Sequence, residues 1–186
     1  MDDPCYTDPS VEGCRSFRRG HMDIVADRDS LCAAMDFMVG CTLSHECTNG
    51  TTNANSTYCK PWSLVGDLCL DMPGMDGCEA WNALCGKGVA NVTVVDMCKD
   101  PAPVPDVLTT MDAKDAVVAI CTAEPTLDGC ATCDFTLPGY SICKDYLTTL
   151  SLLCQEVPEN ENCSGLRDMC GGEGVTQAFP DLCTFL

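Results

Sequence analysis

Apolar and polar positions alternate along this chain in short stretches that suit helices. Residues 110–121 start with the N-cap candidate Thr110, carry acidic residues in the first turn and finish with an apolar run. Residues 80–85 and 146–154 show a similar pattern, whereas residues 89–95 also suit a strand. No apolar run approaches the roughly 20 residues that a membrane span needs. The pattern predicts a mainly α fold of short helices without a transmembrane segment.

One ten-residue unit occurs four times in the sequence. Each copy is bounded by two cysteines and entered through an aliphatic residue, and the copies are residues 32–41, 69–78, 121–130 and 154–163. A proline lies inside three of them, and proline tends to end one helix and start the next. We therefore expect each unit to join two short helices.

The cysteine spacings reveal an internal duplication. The eight cysteines from Cys32 to Cys98 follow one another at steps of 9, 6, 12, 10, 9, 7 and 13, and the eight from Cys121 to Cys183 at steps of 9, 3, 10, 11, 9, 7 and 13. The fold is therefore expected to be disulfide-rich, with short helices in two pseudo-repeated halves. The predicted organisation is an N-terminal segment (1–23), a first Cys-rich half (24–99), a Pro-rich, non-helical linker (100–106) and a second Cys-rich half (107–186).

Eighteen cysteines among 186 residues indicate a disulfide scaffold made in an oxidising compartment. Nine disulfides are expected. Cys5 and Cys14 pair most simply with each other, and the spacing leaves the other pairs undetermined. N-glycosylation sequons at Asn49, Asn55, Asn91 and Asn162 agree with the secretory pathway and an extracellular or periplasmic location. No signal peptide is visible at Met1, so the sequence reads as a mature segment.

The first two ten-residue units carry methionine at their inner positions and read C-x2-M-x2-M-x2-C. Their methionines are Met35 and Met38 in the first unit, and Met72 and Met75 in the second. Because residues three apart share one face of a helix or a helical turn, each unit is expected to form a stripe of four sulfurs. A thioether is soft and needs no deprotonation, so it favours Cu(I) over Mg²⁺, Ca²⁺ or Mn²⁺, whereas zinc prefers thiolate and imidazole. The four methionines therefore predict a Cu(I) site.

The geometry of that site stays open at the level of the sequence. Either the four methionines converge around one ion, or each unit holds an ion with an accessory ligand. The accessory candidates are Cys32, Cys41, Cys69, Cys78, His21, Met22 and His45. Methionines at helical spacing also serve as flexible core filling, and that alternative predicts no metal. A metallothionein-like thiolate store is disfavoured because C-x2-C occurs once and apolar residues are plentiful, although a mixed state with a few thiolate ligands stays open.

The two methionine units, each followed by a further cysteine (Cys47 and Cys85), resemble the extracellular Cys-Met-rich N-terminal region of algal CTR-type copper transporters and their soluble relatives. In that family, methionine clusters outside the membrane gather Cu(I) and pass it to a trimeric pore. The resemblance implies this role for the four methionines. It also implies a copper transporter, or transmembrane helices of the same protein, as the partner. The second half departs from the pattern and is expected to act as scaffold or partner surface; its residues at the methionine positions are Glu124, Leu127, Val157 and Asn160.

The net charge of −18 disfavours nucleic acid and anionic membranes as partners and concentrates cations near the surface. An enzyme is not expected, because the chain has two histidines and lacks a nucleophile elbow, an HExxH motif and a phosphate loop. The leading hypothesis is an extracellular module that captures Cu(I) and hands it to a membrane transporter. The alternative is a secreted, elicitin-like, disulfide-stapled helical protein that binds lipid, sterol or a protein partner without metal.

Overall fold

The fold is mainly α-helical and disulfide-rich, as predicted. A computed structural model describes residues 2–49, 55–86 and 95–185. Within these ranges the α-helices are α1 His21–Ala34, α2 Val39–Thr48, α3 Pro61–Asp71, α4 Glu79–Cys85, α5 Thr110–Ala123, α6 Tyr146–Glu156, α7 Ser164–Gly171 and α8 Val175–Ala178. Extended pairing in the same ranges is limited to an isolated antiparallel bridge between Cys133 and Cys143. The strand considered for residues 89–95 falls almost entirely outside the described residues.

Two helices of the first half have counterparts of the same length in the second half. Helices α1 and α5 each have 14 residues, and Cys32 and Cys121 occupy the same position in them. Helices α3 and α6 each have 11 residues, and Trp62 and Tyr146 are buried near their starts. The internal duplication read from the cysteine spacing is therefore a duplication of helices. Helix α1 begins at His21, inside the segment predicted to precede the first half.

All eighteen cysteines form disulfides, and each pairs with a neighbouring cysteine along the chain. The predicted bond between Cys5 and Cys14 is present. The other pairs are Cys32–Cys41, Cys47–Cys59, Cys69–Cys78, Cys85–Cys98, Cys121–Cys130, Cys133–Cys143, Cys154–Cys163 and Cys170–Cys183. Each bond closes a short loop, so the disulfides fix the turns between neighbouring helices, and helix packing holds distant segments together.

Two hydrophobic clusters form the core. The first-half cluster contains Leu31, Trp62 and Leu68, and the second-half cluster is built mainly on α5, α6 and α7. Val39 of α2 and Leu64 of α3 belong to the second-half cluster, although both lie in the first half. Helix α3 is buried on all its faces from Trp62 to Cys69, because it packs against both halves. The two clusters therefore meet at α2 and α3.

The Pro-rich linker runs along α3. The Ser63 hydroxyl donates a hydrogen bond to the carbonyl of Ala102 at 2.6 Å, and a Cβ placed on Gly66 would lie 2.7 Å from Cγ of Pro103. No helix lies between Cys98 and Thr110, as the prolines predicted. Phe37 of the first half stacks on Tyr140 of the second, with ring centroids 5.1 Å apart. The linker and these aromatic rings therefore pack at the contact between the halves.

In the described part of the chain, no helix has both the length and the apolar character that a membrane crossing requires. The longest helices, α1 and α5, have 14 residues each, which corresponds to about 21 Å.

Candidate metal-binding site

The four ten-residue units form four loops with nearly the same backbone. We call them loop 1 (residues 32–41), loop 2 (69–78), loop 3 (121–130) and loop 4 (154–163). In loop 1, the N–H of Met35 donates to the carbonyl of Leu31 at 3.1 Å, and the N–H of Met38 donates to the carbonyl of Met35 at 3.3 Å. Every loop repeats this pair of bonds at its matching positions. The loop conformation therefore does not depend on methionine.

The predicted helical stripe of sulfurs is wrong. Helix α1 ends at Ala34, and Met35 follows it with φ −145° and ψ 79°, outside the helical region. Met72 ends α3 in the same way, with φ −129° and ψ 78°. Each methionine pair thus lies in a turn between two helices, where an i to i+3 hydrogen bond replaces the helical ladder. The reason is local, since the disulfide that closes each loop lets the chain reverse after the first helix.

Loops 1 and 2 pack against each other reciprocally. A Cβ on Gly40, at the end of loop 1, would lie 2.8 Å from Cγ of Leu68, which precedes loop 2. A Cβ on Gly77, at the end of loop 2, would lie 3.2 Å from Cγ of Leu31, which precedes loop 1. Glycine at both positions allows this close approach. The structure therefore brings the two methionine loops into one region of the molecule.

The four methionines belong to the same hydrophobic cluster but differ in exposure. Met38 is buried, with 0% of its surface exposed, whereas Met35, Met72 and Met75 are half-buried and pack against the first-half cluster. Three of the four thioether side chains therefore have partial access to solvent. Met38, by contrast, is closed to solvent.

The internal duplication distinguishes methionines that fill the core from those that do not. Met97 and Met169 are buried, and the matching positions of the other half hold the buried leucines Leu182 and Leu84. Met38 and Met72 likewise correspond to the apolar residues Leu127 and Val157, which pack on the second-half cluster. Core filling is a sufficient explanation for these four methionines.

Met35 and Met75 also pack against the first-half cluster, but their counterparts in the second half are not apolar. Their counterparts are the exposed Glu124 and the half-buried Asn160, in loops with the same hydrogen bonds. The side chain of Asn160 accepts a hydrogen bond from the N–H of Asn162 at 3.0 Å, which a methionine could not do. The fold therefore tolerates polar residues at these two positions, and apolar packing does not require methionine there. The sequence alignment of the halves already contained this signal, but burial was needed to interpret it.

The prediction that four cysteines could serve as accessory thiolate ligands is wrong. Cys32 is bonded to Cys41 and Cys69 to Cys78, with Cα atoms 5.5 Å apart in both pairs. A disulfide sulfur carries no proton to lose and offers no thiolate to a metal. In this oxidised fold the methionine thioethers are the sulfur donors that stay chemically available.

The structure does not bring His21 and Met22 to the site. Both are exposed at the start of α1, about 20 Å of helix from Met35 at its other end. His45 is exposed on α2, seven residues beyond Met38. Among the described residues, no group of three or more His, Cys, Asp or Glu side chains is arranged to hold a metal ion. Those four residue types do not include methionine, so this finding does not cover its thioether.

Acidic residues surround the two loops. Asp36 and Asp76 are exposed next to Met35 and Met75. Asp71 is half-buried before Met72, and burial raises the pKa of its carboxyl, although hydrogen bonds from Thr110 oppose the shift. Burial also raises the pKa of Asp27, beside loop 2, against the effect of its ion pair with Arg19 at 2.8 Å. The ionised members of this rim favour the approach of cations.

Comparison with known proteins shows similarity to part of a longer protein. The chain is 35% identical over 177 residues to Protein P80 of Dictyostelium discoideum. The match covers 95% of this chain but 31% of that protein, so the chain spans about a third of the length of its relative. No family model matches the sequence, and no solved structure matches it.

Proposed function

We propose that this chain binds Cu(I) through methionine thioethers at the contact between loops 1 and 2. The observation that carries the proposal is the identity of Met35 and Met75. They occupy loop positions at which the second half has Glu124 and Asn160, so the loop conformation does not require methionine there. A soft, uncharged donor at a half-exposed position suits a monovalent soft ion. Met38 and Met72 complete the proposed donor set.

The proposed mechanism is capture and transfer without redox chemistry at the protein. Thioethers bind Cu(I) without releasing protons, because they carry none, so the thioether bond itself does not depend on pH. The acidic rim raises the local cation concentration. The nine disulfides are typical of an oxidising compartment, and we place the protein outside the cytosol. Half-exposed ligands permit exchange, and the partner we propose is a membrane copper transporter.

The lipid-binding alternative has less to support it. The groove beside α5 and α7, with a volume of about 620 Å³, is lined by Asp112, Arg167 and Asp168 among other residues. Charged walls do not suit an acyl chain or a sterol. The cavity beside α4 that is lined by Leu70, Pro73 and Trp81 has no charged wall among the described residues, but its volume of about 290 Å³ lies at the lower end of the roughly 300–1,000 Å³ typical of small-molecule sites. Copper binding is therefore the function that we propose.

The test is a competition between the protein and a Cu(I)-selective chromogenic chelator. Cu(I) is added anaerobically as its acetonitrile complex, because a thiol reductant would open the disulfides. We expect the variant M35L/M75L to lose about tenfold or more in affinity, and the variant with all four loop methionines changed to leucine to lose tight binding.

The matched control is M97L/M169L, which removes two methionines whose counterparts are already leucine. It is expected to bind Cu(I) like the wild-type protein. The proposal is overturned if the wild-type protein does not compete with the chelator, or if the quadruple variant competes equally well.

A further inference from the structure

One hydroxyl group of the second half connects the two methionine loops. Thr110, the first residue of α5, is buried with 0% of its surface exposed. Its Oγ1 accepts a hydrogen bond from the N–H of Val39 at 3.1 Å and donates one to Oδ2 of Asp71. Its own N–H donates to the same carboxylate oxygen at 3.0 Å. A hydroxyl can accept and donate at once, so the three bonds coexist.

The two partners of Thr110 are direct neighbours of candidate ligands. Val39 follows Met38 in loop 1, and Asp71 precedes Met72, at the start of loop 2. The peptide group between Met38 and Val39 and the side chain of Asp71, the residue before Met72, are thus tied to a single side-chain oxygen. Thr110, which makes this connection, is buried, and so is its partner Val39, which is 1% exposed. Loss of the hydroxyl would leave a buried N–H of loop 1 without its partner.

In the second half, loops 3 and 4 are connected directly, without a bridging side chain such as Thr110. Glu156 is the counterpart of Asp71, and its Oε2 and Oε1 accept hydrogen bonds from the N–H groups of Asp128 and Gly129, at 2.9 Å each. Asp128 is the counterpart of Val39. Glutamate is longer than aspartate by one methylene group and reaches loop 3 directly. In the first half the shorter Asp71 leaves a gap that Thr110 fills.

We propose that Thr110 is a positioning residue of the methionine site, through which the second half sets the separation of loops 1 and 2. This inference rests on the proposed copper binding. A binding constellation loses affinity when its ligands shift by more than about 0.5 Å. The bridging hydroxyl belongs to α5, which is a rigid helix. It therefore fixes the position of one ligand loop relative to the other. The half without paired loop methionines thereby contributes to the site.

The test compares the wild-type chain with variants at Thr110 and Thr42. T110V keeps the shape of the side chain and removes the hydroxyl, whereas T110S keeps the hydroxyl and removes the methyl group. The matched control is T42V, because the Thr42 hydroxyl is also buried and also crosses between the halves, donating to Oδ1 of Asp145 at 2.9 Å. Asp145 caps α6 and belongs to neither methionine loop.

We expect T110V to weaken Cu(I) binding by about 10- to 100-fold in the chelator competition, and T110S and T42V to bind like the wild-type protein. In T110V, the further change Asp71→Glu is expected to restore affinity, because the longer carboxylate can reach Val39 as Glu156 reaches Asp128.

Wild-type affinity in folded T110V would overturn the proposal. So would an equal loss in T42V, which would indicate a general effect of stability. If T110V does not fold, Asp71→Ala takes its place because it removes the acceptor of both Thr110 bonds, with weaker binding expected and unchanged binding contradicting the proposal.

A second readout separates this inference from copper binding itself. In the metal-free protein, methyl-group NMR of the methionines should show shifted signals for Met38 and Met72 in T110V and unchanged signals in T42V. Amide exchange at Val39 should be faster in T110V alone. If the wild-type protein fails to bind Cu(I), the proposed function is lost, whereas unchanged signals at Met38, Met72 and Val39 would reject the bridge.

Discussion

The buried carboxyl of Asp67 accepts a hydrogen bond from the N–H of Val104 at 2.8 Å and so fastens the linker to α3. Asp67 is 1% exposed, and within the described residues its Oδ2 has no hydrogen-bond partner. Burial raises the pKa of this carboxyl well above 3.8. The folded protein therefore favours the protonated carboxyl, and the charged form is costly inside the protein.

This relationship predicts that the protein becomes less stable as the pH rises. Folding favours the protonated carboxyl, so the contribution of Asp67 is complete below its unfolded pKa near 3.8 and declines as the pH increases through its raised folded pKa. The variant D67N keeps a neutral acceptor for Val104. We expect it to unfold at higher denaturant concentration than the wild-type protein at pH 7, with a gain of about 1 kcal/mol or more.

The pH profile provides the control for that prediction. The stability difference between D67N and the wild-type protein should disappear near pH 4. D67L removes the acceptor for Val104 and should destabilise the fold at both pH values, by roughly 1–3 kcal/mol. A constant difference between D67N and the wild-type protein from pH 4 to pH 7 would show that Asp67 does not titrate as described.

The close approach of Gly40 to Leu68 predicts a paired result for two glycine variants. A Cβ at Gly40 or at Gly129 would lie 2.8 Å from the facing leucine side chain, Leu68 or Leu153. G40A and G129A should therefore each cost about 1–3 kcal/mol through overpacking, measured by chemical denaturation. Only G40A separates the methionine loops, so only G40A should lower Cu(I) affinity. Equal affinities in the two variants would contradict the assignment of the site to loops 1 and 2.

The duplication allows the site to be transplanted into the second half. Loops 3 and 4 have the same backbone hydrogen bonds as loops 1 and 2, so they should accept methionine at the four matching positions. The variant E124M/L127M/V157M/N160M is expected to bind one additional equivalent of Cu(I) in a titration. The control L84M/L182M adds methionines at buried core positions and should add no capacity. A folded graft with unchanged capacity would show that the backbone of the loops is not sufficient for binding.

The disulfide pattern predicts that thiol reagents leave copper binding intact. All eighteen cysteines are bonded, so denatured but unreduced protein should show no reactive thiol. Treatment with iodoacetamide without a reductant should leave Cu(I) capacity unchanged. Reduction before alkylation should abolish it, because the loops that hold the methionines would open. A substantial thiol signal together with lost capacity after direct alkylation would point to thiolate ligands.

Local patterns determined the parts of the fold that depend on neighbours along the chain. Helix α5 runs from Thr110 to Ala123 where the sequence predicted a helix over 110–121, although its N-cap is Thr109 and not Thr110. The duplication of helices and the bond between Cys5 and Cys14 were likewise visible in the spacing. These features follow from helical periodicity, capping and short loop closure, all of which act over a few residues.

The tertiary structure alone decided the features that depend on distant contacts. The sequence placed Met35 and Met38 on one helix, but the disulfide between Cys32 and Cys41 closes a turn there. Spacing could not show that Gly40 faces Leu68, or that Thr110 joins Val39 to Asp71 across the two halves. Such contacts arise when helices far apart in sequence bury their apolar faces together, and a local pattern records which face is apolar but not what covers it.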